Sequence, residues 1–165
     1  MRALLLLDID GVLNPWAART CPPGYVAHHF RRGWWGQRRQ AWLRPEHGPA
    51  LRGLAERTGA ELVWASSWAH DANITVGAVL GLPPLPVIEF AGPHADTGPA
   101  WKYRAVARFA YGRPLAWLDD DFDLRAGAKE EFLARRDVPT LLVPIDPAVG
   151  VTDADLASVE RWLPR

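Results

Sequence analysis

The nine residues ALLLLDIDG at 3–11 decide how this chain folds. An unbroken apolar run has no polar alternation, so a strand made from it is covered on both faces, as in a parallel sheet flanked by helices. The run ends at Asp8, with Asp10 two residues on. In extended chain both carboxylates point to the same side. Gly11 then lets the backbone turn and brings its N–H near an anion.

The same grammar recurs outward from this stretch. Residues 61–65 (ELVWA) read as a strand before Ser66 and Ser67, and 85–90 (LPVIEF) as another, bounded by prolines and Gly92. Residues 115–118 (LAWL) run into Asp119, and 140–143 (TLLV) stop at Pro144. Helices are expected over 48–58, 71–80 (Asp71 as N-cap), 100–111, 125–136 and 153–163 (Thr152 as N-cap). This alternation predicts an α/β, doubly wound domain. A single domain over 1–165 suits the length. The stretch at about 14–45 is too long and irregular for a βα loop and reads as a flap-like insert.

Composition narrows the classes further. With 48% hydrophobic and 23% charged residues the chain is globular, and one cysteine excludes an intramolecular disulfide framework. Lys plus Arg balances Asp plus Glu at 19 each, but the charge is uneven. Residues 14–45 hold six Arg and no acid, whereas 119–165 hold eleven acids and six bases. Asp8 interrupts the first apolar run long before a signal-peptide core is complete, and no stretch approaches a membrane span. The expectation is a cytoplasmic protein with no membrane partner. Arg outnumbers Lys 17 to 2, as in a GC-rich genome, which weakens the Arg cluster as evidence. Nine Trp remain unexplained by composition.

Ligands of an open parallel sheet bind beyond the carboxyl ends of its strands. There lie Asp8 and Asp10, Ser66 and Ser67, and Asp119, Asp120 and Asp121. Like charges so close repel, unless a divalent cation sits among them; Asp oxygens with retained water suit Mg²⁺. No GxxxxGK followed by Ser or Thr, no HExxH and no CxxC is present. Cys21 reads as a loop thiol, and the adjacent His28 and His29 point apart rather than share a metal.

DIDGVLNP at 8–15, LVWASS at 62–67, Lys102 in PAWKYRAV and LAWLDDDFD at 115–123 appear in an order that resembles the four motifs of the haloacid-dehalogenase-like (HAD) superfamily. More narrowly, DGVLNP, WASSWxHDAN, RPLAWLDD and PTLLVPIDPxxGVT resemble the compact HAD-type domain of bacterial RNA-repair proteins. The resemblance implies a three-layer, Rossmann-like fold with a five-stranded parallel sheet and no full cap domain. It implies a phosphatase in which Asp8 is the nucleophile, Asp10 the general acid and base, and Lys102 a catalytic, charge-offsetting group. Asp10, Gly11, Ser66 or Ser67, and Lys102 would contact the phosphoryl group. Mg²⁺ would be held by Asp8, Asp10, Asp119 and Asp120, with Asp123 as the alternative to Asp120.

An uncapped site admits large substrates. In the insert, Arg31, Arg32, Arg38 and Arg39 interleave with aromatics such as Trp34 and Trp35, a pattern suited to phosphates and stacked bases. His70, just past the second motif, is a further candidate for substrate contact. The alternative is that the Trp residues merely pack the flap. Three functions are therefore carried forward: hydrolysis of phosphomonoesters at nucleic-acid termini or on nucleotides, hydrolysis of a sugar phosphate, and a catalytically idle binding domain.

Overall fold

The computed structural model describes residues 1–31, 38–90, 101–124 and 127–163. Its elements are β1 (Leu4–Leu7), β2 (Val26–Arg31), β3 (Arg38–Leu43), α1 (His47–Thr58), β4 (Glu61–Trp64), α2 (Trp101–Phe109), β5 (Leu115–Asp119), α3 (Ala128–Ala134), β6 (Thr140–Pro144) and α4 (Asp153–Trp162). A parallel sheet runs in the order β4-β1-β5-β6. Every residue of β1 is buried, as the uninterrupted leucine run requires. Leu5 and Leu7 pack on one face with Leu51 and Leu54 of α1 and Leu156 and Val159 of α4. Leu4 and Leu6 face the other way, toward Val106 of α2 and Phe132 of α3. Alternate leucines of one strand thus anchor two helical layers, and α4 is closed at its start by a reciprocal cap between Thr152 and Asp155.

The described sheet has four strands, not five. Segment 85–90 lies along β4 but touches it at a single bridge, Trp64 to Val87. Trp64 N donates to the Pro86 carbonyl and Ile88 N to the Trp64 carbonyl, both at 2.9 Å. Pro83, Pro84 and Pro86 have no N–H to extend the ladder, which is why an apolar, strand-like sequence remains an edge extension. The helix expected over 71–80 begins with Asp71 already in its first turn and loosens into a π-helical stretch over Asn73–Gly77. There Asn73 accepts from Trp64 Nε1 at 2.9 Å and donates to the Leu85 carbonyl at 2.9 Å, tying the stretch to both β4 and the edge extension.

The insert is more regular than its sequence suggests. β2 and β3 pair as an antiparallel hairpin, in register from Val26–Leu43 to Arg31–Arg38. Both strands are largely exposed, so little hydrophobic alternation marks them. Ala41, Leu43 and the partly buried Phe30 fasten the hairpin to the core. Among the described residues, no helix is long and apolar enough to cross a membrane.

Candidate active site

Parallel pairing of β1 with β5 carries both strand ends to one edge of the sheet, so Asp8 and Asp119 meet there. Both are buried. Lys102, in the first turn of α2, reaches between them, with Nζ 2.6 Å from Asp8 Oδ2 and 2.7 Å from Asp119 Oδ2. The Ile9 N–H donates to Asp8 Oδ1 at 2.6 Å. Asp119 also accepts from Trp117 Nε1 at 3.1 Å and from the Asp121 N–H at 2.9 Å.

Asp120 completes the acidic group. Oxygens of Asp8, Asp119 and Asp120 lie within 4.8 Å of one another. Gly11 makes this approach possible. Its φ is +84°, and a Cβ there would sit 2.1 Å from Asp120 Cγ. The Gly11 N–H itself donates to the Asn14 carbonyl at 2.8 Å. Asp123 lies elsewhere, exposed and paired with Lys129.

Asp10 is held from both sides. Asn14 Nδ2 donates to Oδ1 and Trp68 Nε1 to Oδ2, each at 2.8 Å. Ser66, buried after β4, hydrogen-bonds toward Asp8, whereas Ser67 is exposed and faces a small groove with Phe30 and Arg39. His70 is exposed and contacts Glu89 at 2.9 Å. Arg31 and Arg38 oppose each other across the hairpin, both exposed. Arg39 stacks on the Trp68 ring, its guanidinium carbon 4.9 Å from the centroid. Arg32, Trp34 and Trp35 lie outside the described residues.

The acids carry the strain of this crowding. Burial raises the Asp119 carboxyl to about 7, with the Asp8 charge adding to it. Asp120 is raised to about 6 by burial, then by Asp121 and Asp8. Asp8 is also raised, because burial outweighs the pull of Lys102. For Lys102 burial works downward, but Asp8 and Asp119 overcome it and hold the ammonium charged. One ammonium does not balance three clustered carboxylates, and their carboxyls are raised accordingly. Oxygen-only donors so arranged fit a hard divalent cation.

Tryptophans at this edge went unread as site residues. Trp16, Trp68 and Trp117 donate their indole N–H groups to Asp120 (3.4 Å), Asp10 (2.8 Å) and Asp119 (3.1 Å) respectively. A signal did exist. A buried indole must find an acceptor, which holds for Trp68 and Trp117, whereas Trp16 is exposed; all three sit in or beside the acidic and Ser motifs. Asn14 carried no comparable mark.

Sequence comparison matches residues 4–156 to the family described as the HAD domain in Swiss Army Knife RNA repair proteins. The chain belongs to this family. A direct comparison with individual curated proteins finds no match. The family places this HAD domain among the HAD-type hydrolases, and its three grouped aspartates could hold a metal.

Proposed function

We propose that this HAD domain is a Mg²⁺-dependent phosphomonoesterase working through an aspartyl-phosphate. The observation that carries the reading is Asp8, buried at the end of β1, bound to Lys102 and flanked by Asp10. An Asp8 oxygen attacks phosphorus while the bond to the leaving oxygen breaks. Asp10 gives that oxygen its proton. In the second half Asp10 takes a proton from water, the water oxygen attacks the same phosphorus, and Asp8 is released with inorganic phosphate. Lys102 offsets charge on the phosphoryl oxygens, and Ser66 donates to one of them. Mg²⁺ held by Asp8, Asp119, Asp120 and the Asp10 carbonyl would neutralise phosphoryl charge and let both partners approach.

The substrate class we favour is a phosphorylated nucleic-acid end or nucleotide. A cleft of about 400 Å³ opens beside Asp10, lined also by Asn14, Trp16, Arg39, Gln40 and Trp68. Indoles and a guanidinium suit a flat, anionic leaving group. Arg31 opposite Arg38 is a like-charge pair that costs stability in a hairpin, a cost that an anionic partner would remove. The family description, which names RNA repair, points the same way. The test is a Mg²⁺-dependent phosphatase assay on 3′- and 5′-phosphorylated oligonucleotides, nucleotides and sugar phosphates. Turnover should vanish in Asp8→Asn and in EDTA, and return with Mg²⁺. A fully active chelated enzyme or Asp8→Asn variant rules the mechanism out, and preference for sugar phosphates replaces the substrate class.

A further inference from the structure

The two donors that fix the Asp10 carboxylate are both braced by the inserted hairpin. The Trp68 ring is met edge-on by Phe30 of β2, with centroids 5.6 Å apart, and covered by Arg39 of β3. In the register Phe30 pairs with Arg39, so the clamp on Trp68 comes from one rung of the hairpin. Asn14 uses its amide N–H on Asp10, while its carbonyl accepts the Trp42 N–H of β3 at 2.9 Å. Trp68 and Asn14 are both buried for most of their surface. The sheet itself sends only the backbone of residue 10 to this place. Its side chain is held there by Asn14 and by Trp68, which follows β4, and the hairpin touches both.

We infer that Trp68 and Asn14 are positioning residues for proton transfer by Asp10, and that the β2–β3 hairpin holds them in place. This rests on the reading of Asp10 as general acid given above. With one indole and one amide N–H on separate oxygens, the carboxylate plane is fixed, and each oxygen keeps a lone pair for the proton in transit. Through these two residues the hairpin acts on the proton-transfer step.

Proton donation matters most when the leaving oxygen is basic. An alkoxide leaving from an alkyl phosphate needs the proton, whereas the weakly basic 2,4-dinitrophenolate leaves 2,4-dinitrophenyl phosphate without it. The ratio kcat/KM covers events only through formation of the aspartyl-phosphate, so it isolates the acid role from the later base role. Trp68→Phe, which keeps a ring and loses the indole donor, should lower kcat/KM about tenfold or more for the alkyl ester and about threefold or less for the activated one. Phe30→Ala, partly exposed and remote from Asp10, should show the same selectivity at smaller size, and it decides the matter if Trp68→Phe does not fold. Independently of activity, one indole N–H resonance should move in both Asp10→Ala and Phe30→Ala. Equal losses on the two esters, or none in either variant, overturn the brace. Wild-type protein inactive on both esters with Mg²⁺, or an active Asp8→Asn, overturns the phosphatase reading instead, and the brace falls with it.

Discussion

Replacing Gly11 by alanine tests whether Asp120 belongs to the proposed Mg²⁺ site. Two costs are expected, and a second glycine separates them. Gly11 and Gly24 share nearly the same backbone, φ +84° and +82°, but a Cβ on Gly24 meets nothing within 4 Å. Gly24→Ala therefore carries only the left-handed penalty, about 1–2 kcal/mol. That is a loss of roughly 2–8 °C in Tm for a domain of this size. Gly11→Ala carries the same penalty plus a carbon placed 2.1 Å from Asp120 Cγ and 2.2 and 2.5 Å from its oxygens. Ordinary contact begins near 3.5 Å, so the carboxylate must retreat by about 1 Å or more. A displacement of that size at a reacting centre costs on the order of 10²-fold in turnover. Thermal melts in EDTA and in a Mg²⁺ titration, with phosphatase rates alongside, give the readout. Both variants should melt lower in EDTA, but only Gly11→Ala should lose most of the Mg²⁺-induced rise in Tm and most of its activity. If Gly11→Ala responds to Mg²⁺ and turns over like Gly24→Ala, Asp120 has no part in the site.

Two further expectations concern residues away from the acids. His47 is buried at the start of α1 near the Val151 backbone, and it is faced by Tyr25, Arg44, Glu46 and Asp153. Burial, then the Arg44 charge, lowers its pKa to about 4 against 6.5 for the open chain. The unfolded state thus binds the extra proton, so this contribution to stability is complete above pH 6.5 and is lost as pH falls toward 4, about 3 kcal/mol in all. Asp119 and Asp120, raised to about 7 and about 6, take up protons more readily in the folded state and add stability as pH falls through the same window. The His47 loss is therefore read as a difference: urea midpoints of the wild type should fall relative to those of His47→Leu over that window, and parallel pH profiles refute the assignment. Changing Arg31 and Arg38 together to Ala should weaken oligonucleotide binding and make the log–log salt slope shallower by about 0.7 for each lost contact to a single strand. An unchanged slope removes the hairpin edge from the binding surface.

Much of this molecule was legible in its apolar runs. The leucines before Asp8, LVWA before Ser66, LAWL before Asp119 and TLLV before Pro144 marked the parallel strands, because doubly covered strands tolerate no polar interruption. Their carboxyl ends named Asp8, Asp119 and Ser66, since a parallel sheet delivers all its strand ends to one edge. The fifth strand failed at its prolines, which local hydrophobicity does not register but a hydrogen-bond ladder does. The hairpin went unseen because its exposed strands lack alternation. Ser66 and Ser67 were equivalent on paper until the end of β4 turned one inward and the other out. Asp120 and Asp123 separated in the same way, one drawn over Gly11 and the other out to Lys129. The indoles on three carboxylates, and the hairpin behind one of them, join residues as far apart as 16 and 120. Strand formation depends on residues adjacent in the chain and so is written locally. The partner of a buried donor is chosen by whichever acceptor the completed fold brings within reach, and only tertiary structure decides that.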